Sequence, residues 1–111
     1  MSAPKTSICI CEDYTRTPGP RNPDEGRFSG ENFLDTILKP AWEYSVLKKS
    51  RLYIDLDDTE GYATSFLEAA FGGLARRYGV AAVKSGIDFK SDEEPYLIDE
   101  ISLYIDEALN K

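Results

Sequence analysis

Two carboxylates two residues apart, Asp55 and Asp57, stand at the end of the apolar run YIDLDDT, with Asp58 and Thr59 directly behind them. A pair of this kind at a strand end can divide phosphoryl chemistry between its members. Asp55 would attack, Asp57 would move the proton, and both would hold Mg²⁺. Close by come two hydroxyls, Thr64 and Ser65, ahead of the apolar run FLEAAFGGL. A phosphate on either would lie at a helix start, where backbone N–H groups favour negative charge. Asp57, Asp58 and Glu60 would repel it. Ser65 also has Glu68 three residues on, the spacing of a capping box, so its hydroxyl is expected to accept a backbone N–H, worth about 1 kcal/mol. A third group is basic: Arg16, Arg21 and Arg27 with Ser29 and Gly30, in a segment whose glycines would let backbone approach an anion. Each group has a plainer reading. Asp57 and Asp58 can simply end a strand and make a turn, with Asp55 bonded to a loop N–H, and scattered arginines need no ligand.

The elements that must position these residues follow from periodicity. Leu52, Ile54 and Leu56 alternate with Tyr53, Asp55 and Asp57, which is strand spacing. Leu67, Ala70, Phe71, Leu74 and Tyr78 recur at helical spacing and form one buried stripe. Gly72 and Gly73 cost such a helix about 1 kcal/mol each, and their pairing suggests that another backbone comes close there. Upstream, residues 7–12 (SICICE) read as a first strand, followed by an irregular Pro/Gly/Arg loop over 14–29. Ser29 is expected to cap a helix buried through Phe33, Leu34, Ile37 and Leu38. Pro40 should kink or restart it, with Trp42 and Val46 continuing the buried face. Residues 80–85 are ambiguous between helix and connector. Then IDFKS reads as a third strand, and Ser91 with Glu94 as a capping box before a last helix presenting Leu97, Ile101, Tyr104 and Ala108, with Ile98, Ile105 and Leu109 on a neighbouring row. The order β-α-β-α-β-α implies one small α/β domain over residues 1–111, with a short, mostly parallel sheet and helices packed on it. In such sheets ligands bind beyond the carboxyl ends of strands, and the 55–65 turn and the Ser29 helix start could both lie there.

Composition narrows the chemistry. The 111 residues contain no histidine, which removes Ser-His-Asp, Cys-His and histidine-ligated metal sites together. A net charge of −7 speaks against nonspecific nucleic-acid binding. Absence of a long apolar run or a signal-peptide core leads us to expect a cytoplasmic chain with no membrane span. Cys9 and Cys11 would share one face of a strand, where a disulfide between residues i and i+2 is geometrically poor, so they read as buried core thiols.

The blocks EGRFSGENF, LDTILKP, LYIDLDDTEGYATSFLEAAFGGLARRYG and IDFKSDEEPYLIDEISLYI together resemble the bacterial STAS-like domain family DUF4325, over roughly nine-tenths of the chain. The resemblance implies a STAS-type β/α fold like that of anti-sigma-factor antagonists. In those proteins a strand leads into an Asp-Ser-Ser-Gly-Leu turn that opens a helix. A partner kinase, a histidine-kinase-like ATPase, phosphorylates a serine there and breaks the complex. Here the turn reads Ala63-Thr64-Ser65-Phe66-Leu67, with the aspartate and the glycine replaced. A rival likeness is local: the strand followed by D-x-D-x-T matches the opening of haloacid-dehalogenase-type phosphatases. That chemistry further needs a lysine to balance the phosphate and a later acidic pair at another strand end, and IDFKS ends without such a pair.

The expectation is therefore a non-enzymatic regulatory module that requires no cofactor and docks a protein partner through the 57–67 turn and the following helix. Asp57, Asp58, Glu60, Tyr62, Phe66 and Glu68 would form the docking surface, and Ser65 or Thr64 the switch. The alternatives are the Mg²⁺-dependent phosphatase using Asp55 and Asp57, and an anion or nucleotide sensor using Arg16, Arg21 and Arg27. The sequence carries no sign of the oligomeric state.

Overall fold

In the computed structural model, which describes residues 6–19 and 28–108, alternation in the LYIDLD segment produces the central strand. β1 (Ser7–Cys9), β2 (Leu52–Asp55) and β3 (Ile87–Lys90) form a parallel sheet in the order β1-β2-β3. Ile8, Ile54 and Phe89 lie side by side and point into the core with Leu52 and Ile87, whereas the row Ser7, Tyr53, Asp88 faces solvent. Parity then puts Cys9, Asp55 and Lys90, the last residue of each strand, in one cross-strand row at the carboxyl edge.

β1 is shorter than expected. At Ile10 the chain turns into the single helical turn α1 (Ile10–Asp13), and the Asp13 carboxylate reaches back to accept the Cys9 N–H at 2.8 Å. Ile8 and Ile10 are 2% and 0% exposed, so the helical turn buries the same two side chains that an extended strand would. The cysteines are thus half-exposed thiols at a bend and not core residues.

The helix α2 spans 30–47, with Ser29 as its cap: the Ser29 hydroxyl accepts the Asn32 N–H at 3.0 Å. It does not restart at Pro40 but runs on through it. Instead Leu34–Leu38 forms a wide π-type turn just ahead of the proline. A proline has no N–H to donate, and its ring crowds the carbonyl four residues back. The wide turn also shifts the buried stripe to Leu38, Ala41, Trp42 and Ser45 and leaves Val46 57% exposed, against expectation.

α3 spans 64–78 and contains a second π-type turn, Glu68–Gly72, that packs against the first and against the last helix. Neither Gly72 nor Gly73 meets a foreign backbone. A Cβ on Gly73 would face the Leu34 side chain, and one on Gly72 would face the Glu68 carboxylate. The close backbone approach occurs at Gly30, where a Cβ would lie 2.5 Å from the Phe66 carbonyl oxygen. Gly79, at φ +102, ends α3, and the ambiguous segment becomes α4 (Val80–Gly86). α5 (Tyr96–Glu107) starts behind Pro95. The expected Ser91/Glu94 capping box is not made: the Ser91 hydroxyl donates to the Glu94 carbonyl at 2.7 Å. Leu109 lies outside the described residues. The architecture is mixed α/β, and among the described residues no helix is long and apolar enough to cross a membrane.

Candidate functional site at the carboxyl edge of the sheet

The 56–63 loop leaves β2 and leads to α3 along this edge, and Asp57 holds it down. Asp57 is 5% exposed. One of its oxygens accepts Lys90 Nζ at 2.6 Å and the Asp92 N–H at 3.1 Å, and the other accepts the Glu93 N–H at 3.0 Å. These bonds tie the end of β2 to the loop after β3. The Glu93 N–H, the Lys90 ammonium and the Asp92 N–H hold the Asp57 carboxyl below its usual range against the opposing effect of burial. In return Lys90 is pushed up, first by Asp57 and then by Asp92 at 3.2 Å.

Asp55 serves the same loop more lightly. Its Oδ1 accepts the Asp57 N–H at 2.9 Å, the turn bond expected of a strand-end aspartate, and stands 4.0 Å from Lys90 Nζ. Asp58 adopts φ +69, a left-handed geometry that aspartate tolerates better than most side chains. Its N–H donates to Glu93 Oε1 at 2.9 Å. The Glu60 N–H donates to the Arg16 carbonyl at 2.8 Å, and Tyr62 Oη to the Leu56 carbonyl at 2.8 Å. Burial, foremost, raises the Tyr62 phenol above its ordinary range. A loop fastened at so many points presents its outward groups, Asp58, Glu60 and Thr64, in a fixed array.

Several expected docking and switch residues have other duties. Asp57 is buried. Phe66 is 0% exposed and packs on Phe33, Tyr62 and Tyr14, with ring centroids 5.8, 6.1 and 6.3 Å away. It faces inward because Phe66 and Ala70 share the helix stripe that meets α2. Glu68 is half-buried and pairs with Arg76 at 2.7 Å. Eight residues of regular helix rise about 12 Å, so this pair must lie along the helix, over the surface that Gly72 leaves clear. Ser65 is not the cap: Ala63 occupies that position, in extended conformation and with no side-chain bond. Thr64 and Ser65 are the first two helical residues, Thr64 exposed and Ser65 half-buried.

Of the basic group, Arg16, Ser29 and Gly30 lie among the described residues. Arg16 is exposed, while Arg21 and Arg27 lie outside them. Ser29 is 0% exposed and spent on its cap, with its carbonyl accepting Tyr14 Oη at 2.9 Å. Gly30 is closed off by Phe66.

Sequence reasoning named a lysine as a further requirement of the D-x-D-x-T pattern without singling out Lys90, the cation that stands beside Asp57. Its only local signal was a lysine ending an otherwise apolar-alternating strand. It also missed the thiol pair: Cys9 Sγ and Cys11 Sγ are 3.3 Å apart. The Cys11 thiol is pushed up to about 11, chiefly by its hydrogen bond with Cys9, then by burial and nearby acidic charge.

Comparison with known proteins agrees with the architecture. A family model described as a STAS-like domain of unknown function (DUF4325) matches residues 29–97, from the α2 cap to the first turn of α5. No curated protein and no solved structure matches.

Proposed function

The chain belongs to the STAS-like domain family DUF4325, and from that premise we propose that it is a regulatory module that binds a protein partner and performs no turnover of its own. The observation that supports this reading is how the D-x-D pair is used. Asp57 has both oxygens engaged in fixing the loop, so it is not free to shuttle a proton or hold Mg²⁺. What the anchored loop offers outward is an acidic array, Asp58 and Glu60, beside the exposed hydroxyl of Thr64. The proposed docking surface is accordingly Asp58, Glu60 and Thr64, with Ser65 half-buried beside them. Phe66 and Asp57 act beneath it.

The partner is a histidine-kinase-like ATPase of the anti-sigma-factor kind, engaging this acidic turn with a basic surface. Phosphorylation of Thr64, or of Ser65, would add charge to an already acidic turn and weaken the contact.

Tagged wild type is compared with Asp58→Asn/Glu60→Lys and with Thr64→Glu and Ser65→Glu in affinity capture from the native host, with phosphosites read by mass spectrometry. Unchanged unfolding midpoints serve as the folding check. The expected result is an ATPase-type regulator retained by wild type and lost by the variants. Equal retention by all four proteins would overturn the docking surface. Mg²⁺-dependent phosphomonoester hydrolysis abolished by Asp55→Asn would overturn the non-enzymatic reading.

A further inference from the structure

We propose that Cys9 and Cys11 are a modification site, a thiol pair that closes reversibly into a disulfide under a peroxide-class oxidant and transmits that closure through Tyr14 to the start of α2. Two residues of chain span at most about 7 Å, and the turn from β1 into α1 aims both side chains to one side. The sulfurs are already 3.3 Å apart, and both cysteines are half-exposed, within reach of a small oxidant. A disulfide needs about 2.05 Å, so closure asks for a shift of little more than an ångström.

The chemistry balances with hydrogen peroxide as oxidant. One thiolate attacks the O–O bond, forming an S–O bond and releasing water once the leaving hydroxide is protonated. The second sulfur then attacks that sulfenic sulfur, forming the S–S bond and expelling a second water. Each sulfur gives up one electron, and the peroxide takes both. The attacking thiol gives up its proton, which leaves in that second water. A bridge across one intervening residue is strained, and strain makes a disulfide easily reduced, as reversibility requires.

The shift has one direction to go. β1 is held by its ladder to β2, so the movement falls on α1. α1 ends at Tyr14, whose N–H, like that of Thr15, donates to the Ile10 carbonyl. Tyr14 Oη donates to the Ser29 carbonyl and accepts Asn32 Nδ2, both at 2.9 Å, and its ring packs on Phe33 at 5.1 Å. Displacing α1 therefore loosens the α2 cap.

The test treats the whole protein with hydrogen peroxide, then denatures, alkylates and weighs it. The expected product is lighter by two hydrogens, resists alkylation at both cysteines, carries the bridge within one tryptic peptide and returns with dithiothreitol. Cys9→Ser and Cys11→Ser should each fail to give it. In the oxidised protein, amide hydrogen exchange over residues 29–34 should run several-fold faster. Thiols that stay alkylatable, that go to sulfinic acid without the lighter species, or that link only between chains would overturn the site. A disulfide that forms with exchange over 29–34 unchanged would overturn the Tyr14 relay.

Discussion

Replacing Asp57 with alanine isolates the anchor of the loop. The substitution removes three bonds to a carboxylate whose side chain is 6% exposed: Lys90 Nζ at 2.6 Å, the Glu93 N–H at 3.0 Å and the Asp92 N–H at 3.1 Å. Hydrogen bonds to a charged group contribute about 1.5–3 kcal/mol each. The Lys90 side chain is 38% exposed, so solvent reduces its share to about 1 kcal/mol. Water can also reach the two freed N–H groups, because Asp92 and Glu93 are exposed. The expected cost is about 3 kcal/mol. Asp55→Ala loses one bond at 2.9 Å and a 4.0 Å contact, or about 1 kcal/mol. Urea unfolding followed by the single tryptophan, Trp42, which is 5% exposed, reads both. With a slope of about 1–3 kcal/mol per molar urea, Asp57→Ala should lower the midpoint by 1 M or more, and Asp55→Ala by about a third as much. Acid adds an independent check. A carboxyl depressed in the folded state stabilises the fold above its unfolded value, about 3.9, and that contribution is lost as pH falls through the folded value. The stability difference between wild type and Asp57→Asn should be flat from about pH 7 to 5 and shrink below about 4. The depressed Asp88, paired with Arg51, is common to both proteins and cancels. An Asp57→Ala change under about 0.5 kcal/mol, equal effects at the two aspartates, or a difference that grows on acidification would refute the reasoning.

Two further predictions concern the helix starts that frame the site. Gly30→Ala places a Cβ 2.5 Å from the Phe66 carbonyl oxygen and 3.1 Å from its Cα, backbone atoms that cannot swing aside. It should destabilise by about 1–3 kcal/mol, whereas Gly72→Ala, which meets the ends of two long side chains, the Glu68 carboxylate and the Arg76 guanidinium, should cost less than Gly30→Ala in thermal melts followed by circular dichroism. Ser29→Ala should cost about 1 kcal/mol and Ser65→Ala under about 0.5, because Ser29 accepts the Asn32 N–H and Ser65 is not the cap. Chemical denaturation that ranked the two serines the other way would restore the capping-box reading of Ser65.

Local periodicity was enough for β2 and α3. Leu52 and Ile54 are fully buried where alternation put them, and Leu67, Ala70, Phe71 and Leu74 are all 0–1% exposed. It was not enough where two structures satisfy one pattern. Ile8 and Ile10 bury equally well on a strand or across a strand-to-helix turn, and only Asp13, four residues past Cys9, tells them apart. Ser-x-x-Glu likewise fits a helix that starts at Ser65 or one that has already started at Thr64. In α2 Phe33 and Leu38 are buried as the period predicts, but Val46 is 57% exposed while Ala41 and Ser45 are buried. The wide turn Leu34–Leu38 rotates the stripe beyond it, which local spacing does not signal.

The site itself depends on register, which no spacing rule supplies. Cys9, Asp55 and Lys90 become neighbours only because three strands are parallel and end together. The decisive bond, Lys90 to Asp57, joins residues 33 apart. A D-x-D motif read alone makes its two carboxylates equal candidates for chemistry. The fold assigns them different work, spending Asp57 on holding the loop and leaving Asp55 half-exposed at the edge. With the strongest acidic signal in the chain committed to structure, the proposed docking role falls to the side chains that the anchor displays, Asp58, Glu60 and Thr64. Perturbing Glu60 or Thr64 should therefore change binding while leaving stability almost untouched.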